Sequence, residues 1–195
     1  MNTLKSIALF LVVSAMTAFG AHGENRFIID PTLDNYDSFP EIKSMNKFFV
    51  DSVRDTVLGR ADSGLVGYTH TRSKSPTAII CRPLPAAAVD TSLEKLFVKK
   101  GIAAANRGEA TYLVRVTLLS FDLKETPHFL HQTMDATVRF KIDLIDPHTS
   151  QLAQGFTVES QRSRTTFNAN RKSEEILSEA LENALVEVIK TLKGI

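Results

Sequence analysis

Cys81 is the only cysteine in the chain. A thiol beside a base is a nucleophile for acyl transfer, with the base and its orienting group drawn from elsewhere in the fold. Here Cys81 sits in the apolar run Pro76 to Arg82, where a lone cysteine reads as a small buried hydrophobe. A reactive or intermolecular thiol is the alternative. One cysteine excludes an internal disulfide framework. His128-x-x-His131 has the spacing of a metal pair only on a helix or with further ligands. It follows Pro127, lies between two strand patterns and has no third ligand near it in sequence, so neither metal nor cofactor is expected. His70 and His148 are isolated. The sequence carries no Gly-x-Ser-x-Gly, HExxH, P-loop or dinucleotide fingerprint, and no catalytic residue is assigned.

Two groups of charged residues have spacings suited to binding rather than reaction. Asp51, Arg54, Asp55 and Arg60 cluster ahead of a hairpin pattern. One reading is a buried Asp–Arg pair that holds a loop; the other is an anion or headgroup site. Arg162, Arg164, Arg171 and Lys172 form a second cluster, broken up by Asn168 and Asn170. It suits acidic polymers or lipid headgroups, or simply a solvated strand end. Neither group is interleaved with aromatic residues as a nucleic-acid surface would be. A formal charge of +1 over 195 residues gives no overall field toward a polyanion.

The elements that position these residues are plainer than the chemistry. Ala110 to Arg164 reads as three consecutive antiparallel strands. In the middle one, Met134, Ala136, Val138, Phe140, Ile142 and Leu144 alternate with Asp135, Thr137, Arg139, Lys141 and Asp143, the period of a strand with one buried face. In the strand before it, Tyr112, Val114, Val116 and Leu118 share one face. Leu113, Arg115, Thr117, Leu119 and Phe121 share the other, which is too apolar to be purely solvated. Asp146 to Ser150 is a turn-rich hairpin loop. The third strand runs from Gln151 to about Arg164, with Gly155 marking a bulge. Ser173 to Lys193 is an amphipathic helix with Ser173 as N-cap and an apolar stripe from Ile176 to Leu192. Thr91-Ser92-Leu93-Glu94 is a capping box that starts an earlier helix, and Gly101 stops it. Leu65–Thr71 and Pro76–Arg82 read as a hairpin or as paired edge strands. Pro40 to Leu58 stays open: Ile42, Met45, Phe49, Val53 and Val57 fit a helix, whereas Lys47 to Val53 is a β-rich run. The fold class is therefore α+β, a mainly antiparallel sheet with two amphipathic helices packed on one face. Its core comprises Val114, Val116, Val138, Phe140, Ile142, Phe156, Leu96, Leu181, Leu185 and Val188.

At the N-terminus, Lys5 precedes the apolar run Ile7 to Val13, and small residues follow at Ala18-Phe19-Gly20 or Ala21-His22-Gly23. This is the layout of a secretory signal peptide; a retained anchor is the alternative, although the run is short of the roughly 20 residues that span a bilayer. The expected organisation is a signal peptide over 1–23, an extended lead-in over 24–46 and a single α+β domain over 47–195. No later stretch is apolar enough to span a membrane, so the expected location is the periplasm.

The order strand, loop, strand, helix ending in glycine, three-strand meander and amphipathic helix resembles the YajG-like family of bacterial envelope lipoproteins. More distantly it resembles the accessory lipoproteins of envelope ABC transporters. The resemblance is carried by Phe48 to Asp55, Leu65-Val66-Gly67, Leu93 to Gly101, Tyr112 to Val116, Asp135 to Val138, and Gly155-Phe156 through Asn170 into the last helix. It implies a strand over Lys47 to Arg54 and an envelope role without catalysis. That family is anchored through a cysteine after its signal peptide, and this chain has none there. The expected function is thus a non-catalytic periplasmic accessory protein that binds an envelope protein or a lipid or glycan component. The expected surface combines Asp51, Arg54, Asp55 and Arg60 with Leu113, Leu119 and Phe121. A hydrolase using Cys81 or a histidine, and a purely structural oligomer-forming domain, are the alternatives.

Overall fold

A computed structural model describes residues 26–33, 35–57, 60–70, 76–167 and 169–195; the signal segment 1–23 lies outside them. The elements in chain order are β1 (Arg26–Ile29), β2 (Phe48–Asp55), α1 (Arg60–Ser63), β3 (Leu65–Thr69), β4 (Thr77–Cys81), α2 (Pro85–Lys99), β5 (Tyr112–Pro127), β6 (Gln132–Ile145), β7 (Leu152–Thr166) and α3 (Ala169–Leu192). A single 3₁₀ turn, Arg107–Glu109, precedes β5.

The period-two stretch does form three long antiparallel strands, β5, β6 and β7. The sheet as a whole is mixed rather than mainly antiparallel. Its seven strands run in the order β1-β4-β3-β5-β6-β7, and β2 also pairs with β5. Both β2 and β3 lie parallel to β5, β2 along Tyr112 to Leu118 and β3 at Leu123 and Lys124. The expected β3–β4 hairpin is antiparallel, and β1 pairs parallel to β4. Within the open segment 40–58, Phe48–Asp55 is strand, because pairing with β5 and burial of Phe48 against Phe97 (ring centroids 5.8 Å apart) outweigh the helical spacing.

Both long helices contribute to one core cluster. Val89, Leu93, Leu96 and Phe97 of α2, and Ile176 to Leu192 of α3, meet Val114, Val116, Leu118 and the Met134 to Leu144 row of the sheet. Every expected core residue is buried except Phe156, which is half-buried against the cluster. Both helices start earlier than expected. α2 has Pro85 at its first turn and Leu84 at the N-cap position, where proline's fixed φ and missing N–H cost nothing; Thr91 is therefore mid-helix. α3 begins at Ala169, which puts Ser173 inside the helix and fully buried. Gly101 does stop α2, at φ +68°: its N–H donates to the Val98 carbonyl (3.0 Å), and Ile102 N–H donates to that of Phe97 (3.0 Å). That pair is a Schellman ending, closed by burial of Ile102 with Phe97.

Bulges fall elsewhere than at Gly155, which pairs in register with Asp143. The shift in β7 lies between Gln154 and Leu152, opposite Leu144 and Ile145. In β5 an extra residue, Leu119, sits between Leu118 and Ser120. It inverts the side-chain alternation, so Phe121 and Leu123 join the core face of Val114, Val116 and Leu118. In β2 the extra residue is Asp51. The lead-in also belongs to the core: Ile29, Leu33, Tyr36, Phe39 and Ile42 are all buried in the main cluster.

Candidate functional site

The expected binding surface divides into three unlike parts. Asp55 and Arg60 form a buried pair that extends to the half-exposed Asp122. Arg60 starts the short α1, and its side chain is only 3 % exposed. Its Nε and terminal nitrogen donate to both oxygens of Asp55 (2.8 and 2.9 Å), and its other terminal nitrogen donates to Asp122 Oδ1 (2.8 Å) and to the Phe121 carbonyl (3.2 Å). Asp55 also accepts the Val57 N–H (3.0 Å). With its donors directed at carboxylates and a carbonyl, Arg60 ties β2 and α1 to β5 and offers no open fork to an anion.

Asp51 stands apart, carried by the bulge in β2. It accepts from Arg115 (2.9 Å) on β5 and pairs with Arg107 (2.8 Å) in the 3₁₀ turn. Arg54 is exposed. Of the apolar trio, Leu113 and Phe121 are 0 % exposed and so are no part of an accessible face. Leu113 is covered by Phe49, Ala104, Ala110 and Ile145; Phe121 was turned to the core by the bulge. Leu119, the bulged residue, is the one member that reaches solvent.

Cys81 is fully buried, and its Sγ donates to the Pro83 carbonyl (3.0 Å). Burial, and the Asp30 charge after it, push the thiol up to about 12. His128 and His131 share the β5–β6 turn, where His128 N–H donates to the His131 carbonyl (2.8 Å) and the rings stack at 4.6 Å. Among the described residues no group of three or more His, Cys, Asp or Glu could hold a metal. In the second basic cluster, Arg164 pairs with Glu175 (2.5 Å) and Glu179, and Lys172 with Glu175. The two Arg164 pairs clamp β7 to the N-terminal part of α3, and the Lys172 pair lies within the helix. The Arg171 side chain lies outside the described residues.

Sequence reasoning passed over two features. The first is an acidic groove of about 570 Å³ between the lead-in and α3, lined by Asp30, Asn35, Ser38, Glu174, Ser178 and Glu182 among others. Hydrogen bonds cross it: Asp30 N–H donates to Glu174 (3.1 Å), and Ser38 Oγ to Glu182 (2.9 Å). The second is the end of the sheet where β5 turns into β6. Phe129, Leu130 and Phe167 are 99, 74 and 84 % exposed there. The ladder places them together, since Pro127 pairs with Gln132 and Gln132 with Thr166. The signal was present in Pro127-His128-Phe129-Leu130-His131, two large apolar residues at the centre of a turn where polar residues are the rule.

No protein-family model matches the chain, and no curated protein matches it. Among solved structures it is similar to a Xanthomonas campestris protein of the DUF330 family, at 15 % identity and a TM-score of 0.57 over 86 % of this chain and 92 % of that one. The two share the fold. A minor lipoprotein from Acinetobacter baumannii is similar at 10 % identity and a TM-score of 0.42 over 57 % of this chain and 87 % of that one. A Helicobacter pylori neuraminyllactose-binding hemagglutinin homolog is similar at 10 % identity and a TM-score of 0.39, over 87 and 83 % of the two chains.

Proposed function

We propose that this chain is a non-catalytic accessory protein of the bacterial envelope, exported to the periplasm, which acts by binding another envelope component. The observation that carries the reading is the concentration of exposed Phe129, Leu130 and Phe167 at one end of the sheet. Exposed apolar groups gathered at one place are the mark of a recognition surface, whereas scattered ones are ordinary. The signal-like N-terminus and the fold shared with a DUF330 protein support an envelope setting. Support for a binding role over hydrolysis comes from Cys81, held as a neutral buried donor far above the ionisation range of a working thiolate.

The test is crosslinking in intact cells, followed by capture from the envelope and periplasmic fractions and intact-mass measurement. The expected result is a chain lacking about its first 23 residues, the span of a secretory signal, with a reproducible crosslinked envelope component that is lost in the Phe129→Ser/Leu130→Ser variant. A chain found in the cytoplasm, or crosslinks indifferent to that variant, overturns the reading.

A further inference from the structure

The envelope component that meets the hairpin end can be narrowed from the shape of that end and the order of its side chains. The inference deepens the accessory reading and rests on it. We propose that the β5–β6 turn inserts Phe129 and Leu130, with Phe167 beside them, into the boundary between headgroups and acyl chains of a phospholipid bilayer.

Shape is the first argument. Pairing of β3 with β5 ends at Tyr68 and Lys124, whereas the β5–β6 ladder continues to Pro127 and Gln132. Phe129 and Leu130 thus lie beyond the last rung of this ladder, out in solvent at the turn. Two phenylalanines and a leucine offer roughly 500 Å², less than the about 800 Å² per partner of a stable protein interface. A convex wedge of this size needs a complementary pocket in a protein partner but none in a bilayer.

Depth is the second. Behind the apolar apex come the stacked rings of His128 and His131. Lys124 follows three residues before Pro127, about 10 Å along the strand, and Arg162 is exposed on β7 across the sheet. Cations set back from an apolar edge lie level with lipid phosphates when that edge is immersed. Arg164 and Lys172 are tied to Glu175 and Glu179, and Asp135 also lies at this end. The charge there is nearly balanced, so apolar insertion drives the contact and salt weakens it little.

The chain path is the third. Arg26, the first residue of β1, aligns through Ala78 and Tyr68 with Lys124. The chain left after removal of the signal segment therefore enters the fold at the end that carries the wedge.

The chain has no tryptophan, so Phe129→Trp in the full chain places a single reporter at the apex. Leu152→Trp, an exposed site at the opposite end of the sheet, is the comparison. On adding mixed phosphatidylethanolamine–phosphatidylglycerol vesicles, the Phe129→Trp emission is expected to shift blue. It is also expected to lose most of its intensity to lipids brominated in their acyl chains, while Leu152→Trp is unchanged. Retention of a water-like emission at saturating vesicles overturns the proposal. So does equal quenching at both positions, which would report general adsorption through the N-terminal segment. A blue shift on concentrating the protein without lipid also overturns it, and would assign the wedge to a second copy. Failure here leaves the crosslinking result standing, because a variant-sensitive protein crosslink would still identify a partner.

Discussion

At the residue scale, one buried cation, Arg60, does much to hold elements together. Replacing Arg60 by Ala leaves Asp55 buried without its cation and strips a donor from the Phe121 carbonyl. We expect a loss of about 3 kcal/mol, read as a lowered urea midpoint, since breaking a buried pair costs far more than a surface one. Asp55→Asn should cost less, because the neutral amide still packs and can accept one of the Arg60 hydrogen bonds. Cys81 supplies the pH-dependent case. Its thiol is raised to about 12 in the fold, chiefly by burial, from an ordinary 9.0. A raised acid contributes its full share below the unfolded value, and that share is lost as pH climbs from about 9 toward 12. Native protein should resist an aromatic disulfide reagent at pH 8 and react when unfolded in guanidinium. Fast native labelling would show that the thiol opens locally. Asp146 runs the opposite way: backbone donors His148 and Thr149 hold its carboxyl below the ordinary value. Its contribution is present above about pH 4 and disappears on acidification, which a side-chain carbonyl NMR titration would follow.

At the element scale, the contrast between Gly67 and Gly101 tests how tightly the sheet is built. A Cβ at Gly67 would lie 2.1 Å from the Leu123 carbonyl oxygen, across the β3–β5 pairing. At Gly101 it would meet nothing, and only the left-handed backbone opposes it. Gly101→Ala should cost about 1 kcal/mol, and Gly67→Ala several-fold more, with β3 amides exchanging first in hydrogen-exchange measurements. Much of this architecture was legible in the chain. The Met134 to Leu144 alternation, the Ile176 to Leu192 stripe and the Gly101 stop all report local periodicity or backbone sterics. What was illegible shares one cause, distance in sequence. Parallel pairing of β2 with β5 decided a segment whose own spacing favoured a helix. Pro85 and Ala169 open the two helices several residues ahead of the strongest local caps. The Leu119 bulge left no mark of its own, so Phe121 was placed on the wrong face. The candidate site suffered likewise: Asp55 and Arg60 were grouped correctly, but Asp122, their third member, comes from a strand 62 residues beyond Arg60.

At the scale of the whole molecule, the lead-in is part of the domain and not an appendage. Leu33, Tyr36, Phe39 and Ile42 are buried in the main cluster, so Phe39→Ala should cost about 3 kcal/mol and open the lead-in to limited proteolysis near Pro40. A protease pattern unchanged by the substitution would mean that the lead-in is held by its bonds to α3 alone. The chain also enters and leaves at opposite ends. Arg26 lies toward the β5–β6 turn, whereas α3 carries the chain some 36 Å to Ile195, whose carbonyl accepts from Asn46 (3.1 Å) beside the start of β2. A pull applied between the two termini therefore runs along the strands. It loads the β1–β4 rungs together, in shear, instead of peeling them one by one, so a molecule held at one end and tugged at the other should resist as a unit before β1 slides free.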